Sequence, residues 1–558
     1  MRVDHVQVPS FDETSLDGWI VRPARGSGRV PVVLWSAPYF GTTYPSGNDP
    51  DLWTNSNPAF AVPVNLLVSR GYAVAIFNVR GTGNSGGCFD WFGPDEQRDQ
   101  AFLVEWLAAR PWSNGRVGMM GLSYHGTTPW EAAIQNPPHL RTIVVAGMIS
   151  DAYLFTHTPQ GATFTIGPAF ENAFVGFVGG PAVDTANLDP SYTAKSIALM
   201  TERLCPEVAE FMATDWIGLV SRRTEGFWAE RRLIDRFPKI RASVLLTHGF
   251  QDLWGSGHQS QESEVWPLLS SPKREIKGQW GHEFPNFNSI HSGWVVADWN
   301  RRLVSWLDYW LKGVGRRPLL DRVSYQDGTG RWHESRSWPP AEARREVLHL
   351  SGTTLSRNPR SGDVSFRALP RAIDYPDVYG AACADAPLPG DLAAGRIFMS
   401  KPLRSDVTVA GNPFVYLTLR SDQPGGQVSV QLVDVGPNAP CPSVPLTTHP
   451  AIRPISHGTA DLRYHSGNYA PRDFPVGKPT KVRIDLTHLA ERIAAGHRLG
   501  LVVSRGDLVD RVAIPYAPRV TVGGASEVVL PVTEGSLGGR SVTRRYPPRP
   551  FLPPARND

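Results

Sequence analysis

Five short apolar runs, each closed off by turn residues, recur through the first half of the chain: Val30–Ser36, Tyr72–Val79, Val117–Gly121, Arg141–Gly147 and Ser243–His248. None alternates apolar with polar as a half-exposed strand does, so they read as strands buried on both faces. Between them lies Glu96–Arg110, with Ala101, Leu103, Val104 and Leu107 at helical spacing. Pro111-Trp112-Ser113-Asn114-Gly115 stops that helix. Strands alternating with helices predict a mostly parallel sheet covered on both sides.

The alternation is interrupted once. From about Ser150 to Lys239 the strand runs stop, and helical segments (Ala194–Leu204, Trp228–Phe237) mix with turns bearing Phe164, Phe170, Phe174 and Phe177. An insertion between two sheet strands reads as a helical cap. An amphipathic helix, Trp294–Leu311, precedes a further change of character. From Val347 onward short β-type runs dominate, among them Phe414–Leu419, Val428–Val433, Lys481–Leu486 and Leu499–Val503. The 53 Gly and 50 Pro supply the turns such a region needs. The terminal Arg544–Asp558, rich in Pro and Arg, is assigned no structure. The expected division is residues 1–149 and 240–345 for an α/β domain, 150–239 for the cap, and 346–558 for an all-β jelly roll. A chain of 558 residues has room for about three domains.

Charge excludes one class of partner. With 56 Lys+Arg against 52 Asp+Glu the net charge is +4, too balanced for bulk attraction to nucleic acid or an anionic membrane. No apolar stretch of about 18 residues predicts a membrane span. Met1-Arg2-Val3-Asp4-His5-Val6 lacks the apolar core of a secretory leader. The four cysteines, Cys88, Cys205, Cys383 and Cys441, form no C-x-x-C pair and read as reduced, unpaired thiols of a cytoplasmic protein.

Gly121-Leu122-Ser123-Tyr124-His125-Gly126 follows the run Val117–Met120 and precedes the helical stretch Thr128–Gln135. A serine on a strand-to-helix turn carries its hydroxyl above the sheet, and the next peptide N–H, that of Tyr124, points to where an oxyanion would form. Such a serine needs a base, and the base an orienting carboxylate, in the chain order Ser, acid, His. Asp252 follows the strand Ser243–His248, and His282 follows Arg274–Gln279, which fits the last strand of the sheet. His248, ending a buried strand, and His258, close after the acid, read better as structural histidines. The loop after Val30–Ser36 reads Ala37-Pro38-Tyr39. Proline has no N–H, so the Tyr39 hydroxyl is the second oxyanion candidate.

These residues together resemble the CocE/NonD hydrolase family, which includes cocaine esterase and α-amino-acid ester hydrolases and is related to the X-Pro dipeptidyl-peptidases. Ser123 lies in that family's G-x-S-Y-x-G. Arg80-Gly81-Thr82-Gly83-Asn84-Ser85-Gly86-Gly87 resembles its R-G-x-G-x-S-x-G, and Trp310-Leu311-Lys312-Gly313 its W-L-K-G. Ser400-Lys401-Pro402-Leu403 and Gly496-His497-Arg498-Leu499 resemble signatures of its C-terminal jelly roll. The resemblance covers nearly the whole chain. It implies an α/β-hydrolase core with a helical cap insertion and a C-terminal jelly roll, a triad of Ser123, Asp252 and His282, and an oxyanion hole of Tyr39 and Tyr124. Two departures stand out. His125 occupies a place the family commonly gives to a small or apolar residue. Phe40-Gly41-Thr42 lacks the charged residues often found after the tyrosine, which weakens an α-amino-ester reading. The cap acids Glu171, Asp184, Glu202 and Glu207 read as solvated.

The expected function is a serine hydrolase that cleaves an ester or amide of a small acyl substrate, with no cofactor or metal. Phe40, His125, Leu253 and Trp254 are candidates for its pocket. An X-Pro dipeptidyl-peptidase, an acyltransferase using the same triad, and an inactive binding fold are the alternatives. No nucleic-acid or membrane partner is expected, and a homodimer or higher oligomer stays open.

Overall fold

The structure, a computed structural model, describes residues 1–24, 28–38, 40, 63–158, 160–162, 203–215, 224–252, 264–287, 294–359, 362–367, 395–437, 450–466, 471–504 and 516–542. The apolar runs form the middle of a ten-stranded sheet. Its strands are β1 (Arg2–Pro9), β2 (Ser15–Arg22), β3 (Val30–Ala37), β4 (Ala73–Asn78), β5 (Ser113–Leu122), β6 (Leu140–Ala146), β7 (Ser243–Gly249), β8 (Lys273–Gly278), β9 (Arg322–Gln326) and β10 (Trp332–Ser335). They lie in the order β1-β2-β4-β3-β5-β6-β7-β8-β9-β10. Pairing is parallel from β4 to β9 and antiparallel at both edges. The antiparallel edges were not anticipated. β1 is mostly exposed and carries Arg2, Asp4, His5, Gln7 and Pro9, residues that discourage an edge strand from recruiting another chain.

Helices cover both faces, which explains strands without alternation. α1 is Val64–Ser69, α2 Pro94–Ala108 and α3 Tyr124–Gln135; the cap contributes α4 (Ala152–Thr156), α5 (Pro206–Asp215) and α6 (Thr224–Glu230); α7 is Trp299–Leu307. On one face Leu103, Val104 and Leu107 of α2 and Trp130 and Ile134 of α3 share a core with Val117, Met119 and Ile143. On the other, Trp299, Leu303 and Trp306 of α7 pack with Met120, Val144 and Ile276.

Four expectations need correction. Arg274–Gln279 does not hold the last strand of the sheet: β8 is followed by parallel β9 and antiparallel β10. Trp228–Phe237 is not one helix: α6 ends at Glu230, and a 3₁₀ turn occupies Leu233–Lys239. The break falls where Arg231 turns inward. Its fully buried guanidinium donates to the Asp90 carboxylate (2.9 Å) and to the carbonyls of Asp90 and Trp91. The helix expected over Trp294–Leu311 starts only at Trp299, because the Val296 N–H is bonded to the Pro285 carbonyl. Cys88 and Cys205 are not reduced thiols but a disulfide. It stitches the start of α5 to the segment after β4, where Phe89 and Leu204 also form a short parallel bridge. Cys383, Cys441, the tail Arg544–Asp558 and all but the last two residues of the helix expected over Ala194–Leu204 lie outside the described residues.

From Arg344 onward the structure is almost entirely β, a fourteen-stranded sheet. Strands Phe414–Ser421, Gln427–Pro437, Thr480–Asp485 and Arg498–Ser504 coincide with the runs seen in the sequence. Leu348, Phe398, Val430, Leu432, Leu501, Val503 and Val528 share one core there. This sheet meets the rest of the chain after α4 and again around His488. The Thr158 hydroxyl and Gln160 Nε2 donate to the Thr459 carbonyl (2.8 Å) and Asp485 Oδ2 (2.8 Å). Further along, the His488 ring packs edge-on against Phe250 and Trp338.

Candidate active site

Ser123 stands between the last residue of β5 and the first of α3 with φ 65° and ψ −125°. A non-glycine residue in that region carries about 1–3 kcal/mol of backbone strain. Here the surroundings hold it. The Ser123 N–H donates to the Ala146 carbonyl at the end of β6 (2.9 Å), and its carbonyl accepts from the Thr127 hydroxyl (3.0 Å). The flanking glycines are required by close approach. A Cβ on Gly126 would lie 2.4 Å from the Ala146 oxygen, and one on Gly121 2.2 Å from the His125 Cβ. Tyr124 is the first helical residue, so its peptide N–H points out of the positive end of α3.

The ends of β7 and β8 bring the other two residues together. The peptide N–H groups of Phe250 and Gln251 donate to the carbonyls of Gly278 (2.7 Å) and Trp280 (3.0 Å). Gly249 permits this contact, since a Cβ there would sit 2.0 Å from the Trp280 oxygen. Asp252 Oδ2 lies 2.7 Å from His282 Nδ1, with side-chain exposures of 1% and 9%. The imidazole rests against Gly147, where a Cβ would be 3.0 Å from its Cε1. Gly147 follows Ala146, whose carbonyl holds Ser123, so the ring and the serine share one strand end.

The remaining candidates divide. Tyr39, Leu253, Trp254 and His258 lie outside the described residues. Phe40 is buried, and its N–H donates to Asn78 Oδ1 (3.2 Å). His125 is 1% exposed, stacked on Phe40 and edge-on to Trp35. Burial, with the neighbouring His282, pushes its pKa down to about 3. It is a neutral packing residue under the site. His248 packs edge-on against His488, at the contact with the C-terminal sheet. Of the cap acids, Glu207 is exposed, and Glu171, Asp184 and Glu202 lie outside the described residues.

A buried acidic layer under α3 escaped the sequence reading. The Tyr124 hydroxyl donates to both oxygens of Glu96 (2.7 and 2.8 Å), and burial pushes the Glu96 pKa up to about 8. Fully buried Glu131, on α3 itself, is raised well above the usual value by burial and by Glu96. The signal available was the polar run Glu96-Gln97-Arg98-Asp99-Gln100, which puts Glu96, Gln97, Asp99 and Gln100 on buried positions of α2. Asp90, Cys205 and Glu207 approach one another closely enough for a metal. They do not suit one: Cys205 is in the disulfide and Asp90 is paired with Arg231.

A mostly parallel sheet with a strained serine after its central strand β5, and an Asp–His pair after β7 and β8, defines an α/β-hydrolase. Residues 12–283 match the family described as X-Pro dipeptidyl-peptidase (S15 family), and residues 318–510 match the X-Pro dipeptidyl-peptidase C-terminal non-catalytic domain. A putative Xaa-Pro dipeptidyl-peptidase of Streptomyces avermitilis is 26% identical, over 89% of this chain and 77% of that one. An α-amino acid ester hydrolase shares the fold, with TM-score 0.74 and 20% identity over 95% of this chain and 96% of that one. So does a CocE/NonD family hydrolase from Staphylococcus aureus, with TM-score 0.69 and 18% identity over 95% and 93%. The protein is a serine hydrolase in which the match to the X-Pro dipeptidyl-peptidase (S15 family) model is followed along the chain by the match to the C-terminal non-catalytic domain, and it shares the fold of the CocE/NonD hydrolase.

Proposed function

We propose that Ser123 is the nucleophile, His282 its base and Asp252 the orienting acid. The observation that carries this is the 2.7 Å Asp252–His282 pair resting on the strand end that holds the strained Ser123. With Nδ1 turned to Asp252, Nε2 takes the Ser123 proton as Oγ attacks the acyl carbon. The oxyanion is held by the Tyr124 N–H and the Tyr39 hydroxyl. His282 returns the proton to the departing alcohol or amine, giving an acyl-enzyme. Water then attacks with His282 again as base, and the acid leaves. Asp252 orients the ring and stabilises the imidazolium.

The substrate is a small ester or a short peptide. The relatives named Xaa-Pro dipeptidyl-peptidase favour a peptidase that releases an N-terminal X-Pro unit. The ester-hydrolase neighbour keeps simple acyl esters in view. Labelling with a fluorophosphonate tests the triad: Ser123→Ala should not be labelled, and labelling equal to wild type would exclude Ser123. Assaying X-Pro anilides beside aryl esters, with product analysis in the presence of a competing amine, separates peptidase, esterase and acyltransferase. The division into residues 1–149 with 240–345, 150–239 and 346–558 is part of the same proposal. A cytoplasmic location, the expectation from the sequence, stands against the Cys88–Cys205 bond, since disulfides persist mainly in oxidising compartments. Alkylation of thiols in intact cells before lysis decides between them.

A further inference from the structure

The C-terminal sheet reaches the Asp252 and His282 loops through a buried amide. Gln279, 1% exposed, lies between β8 and His282. Its Nε2 donates to the Ala490 carbonyl, on the strand Leu489–Ile493 of the C-terminal sheet (2.9 Å), and to the Gln326 carbonyl at the end of β9 (3.1 Å). Its Oε1 accepts from Gln251 Nε2 (3.0 Å). Gln251 is the neighbour of Asp252 in the chain. Both amide protons and the carbonyl oxygen of Gln279 are therefore committed, which fixes its orientation. The Ala490 carbonyl also accepts from the Gly328 N–H (2.9 Å), so it is itself anchored.

We propose that Gln279 is a positioning residue through which the C-terminal sheet sets the Asp252 and His282 loops relative to each other. The proposal rests on the triad reading above. One side chain is covalently part of the base loop, is hydrogen-bonded to the acid loop, and is held from behind by the other domain. The domain matched as non-catalytic thus forms part of the frame of the catalytic pair. A fully paired buried amide resists displacement, because moving either loop strands a polar group away from water. Gln279 touches no reacting atom, and its effect passes through the geometry of Asp252 and His282.

The test uses the full-length protein. Gln279→Leu and Gln251→Leu should each lower kcat and the fluorophosphonate acylation rate on the order of tenfold to a hundredfold, with KM little changed. The acid limb of the kcat/KM profile should move to lower pH, because a misaligned Asp252 supports the imidazolium less well. The double variant should lose no more than the worse single one. Gln160→Ala, which breaks a bond from the cap to the same C-terminal sheet, should leave the rate per titrated site unchanged. Gln279→Leu with wild-type acylation and pH profile per titrated site would overturn the proposal, as would an equal loss in Gln160→Ala. Those results, with Ser123→Ala still unlabelled, leave the triad standing. Labelling of Ser123→Ala removes the triad whatever Gln279 does.

Discussion

Replacing Glu96 by Gln should stabilise the protein at alkaline pH and scarcely at acid pH. The Glu96 carboxyl is wholly buried under α3 and receives the Tyr124 hydroxyl, and burial lifts its pKa from 4.5 to about 8. In the folded protein it is therefore neutral at pH 7, while in the unfolded chain it is ionised. The stability it contributes is full below pH 4.5 and is lost as pH rises through about 8. Within that window each pH unit removes about 1.4 kcal/mol, so from pH 5 to pH 9 wild type loses about 4 kcal/mol through this group. A glutamine keeps the shape of the neutral acid and an oxygen for the Tyr124 hydroxyl, and it cannot ionise. Thermal melts of wild type and Glu96→Gln at pH 5 and pH 9 read the effect. The gap in Tm should widen by about 10 °C between the two, at 2–4 °C per kcal/mol for a domain of this size. A gap equal at both pH values would show that Glu96 is ionised in the fold and refute the argument.

Three further outcomes follow from the described geometry. Asp252→Asn should fold normally yet lose about 10⁴-fold in kcat, since an amide at 2.7 Å from Nδ1 favours the wrong tautomer of His282; a loss under tenfold in single-turnover assays would remove Asp252 from the site. Lys277→Met leaves fully buried Glu275 without the ammonium 2.6 Å away, and urea unfolding should show a loss of about 3–5 kcal/mol. Cys88→Ser opens a loop spanning a sequence separation of 117 residues, and the chain-entropy model predicts a loss of about 4–5 kcal/mol; an unchanged urea midpoint would argue that the bond constrains nothing.

What could be read from the sequence was local or followed chain order. The Ser123 turn needs only an apolar run before it and a helix after it, and both lie within a few residues. Asp252 and His282 could be paired from the sequence because each follows its own strand, and the sheet order makes those strands neighbours. Glu96 and Glu131 were missed because their burial is decided by α2 meeting α3, a contact no periodicity reveals. The Cys88–Cys205 pairing depends on the cap folding back over the segment after β4. The break after Glu230 depends on Asp90, far away in sequence, drawing Arg231 inward. His125 is a polar residue whose role is set by Trp35 and Phe40 closing over it.

The Ala490 carbonyl behind Gln279 has a consequence in time. A ribosome adds about 5–20 residues per second, so the 208 positions from His282 to Ala490 take about 10–40 s. During that interval Ser123, Asp252 and His282 have all been synthesised, while the support for their loops has not. Phe250 and, once made, Trp338 lack their edge-on contact with His488 until the end of that interval. The last third of the message decides when the enzyme acquires its finished geometry.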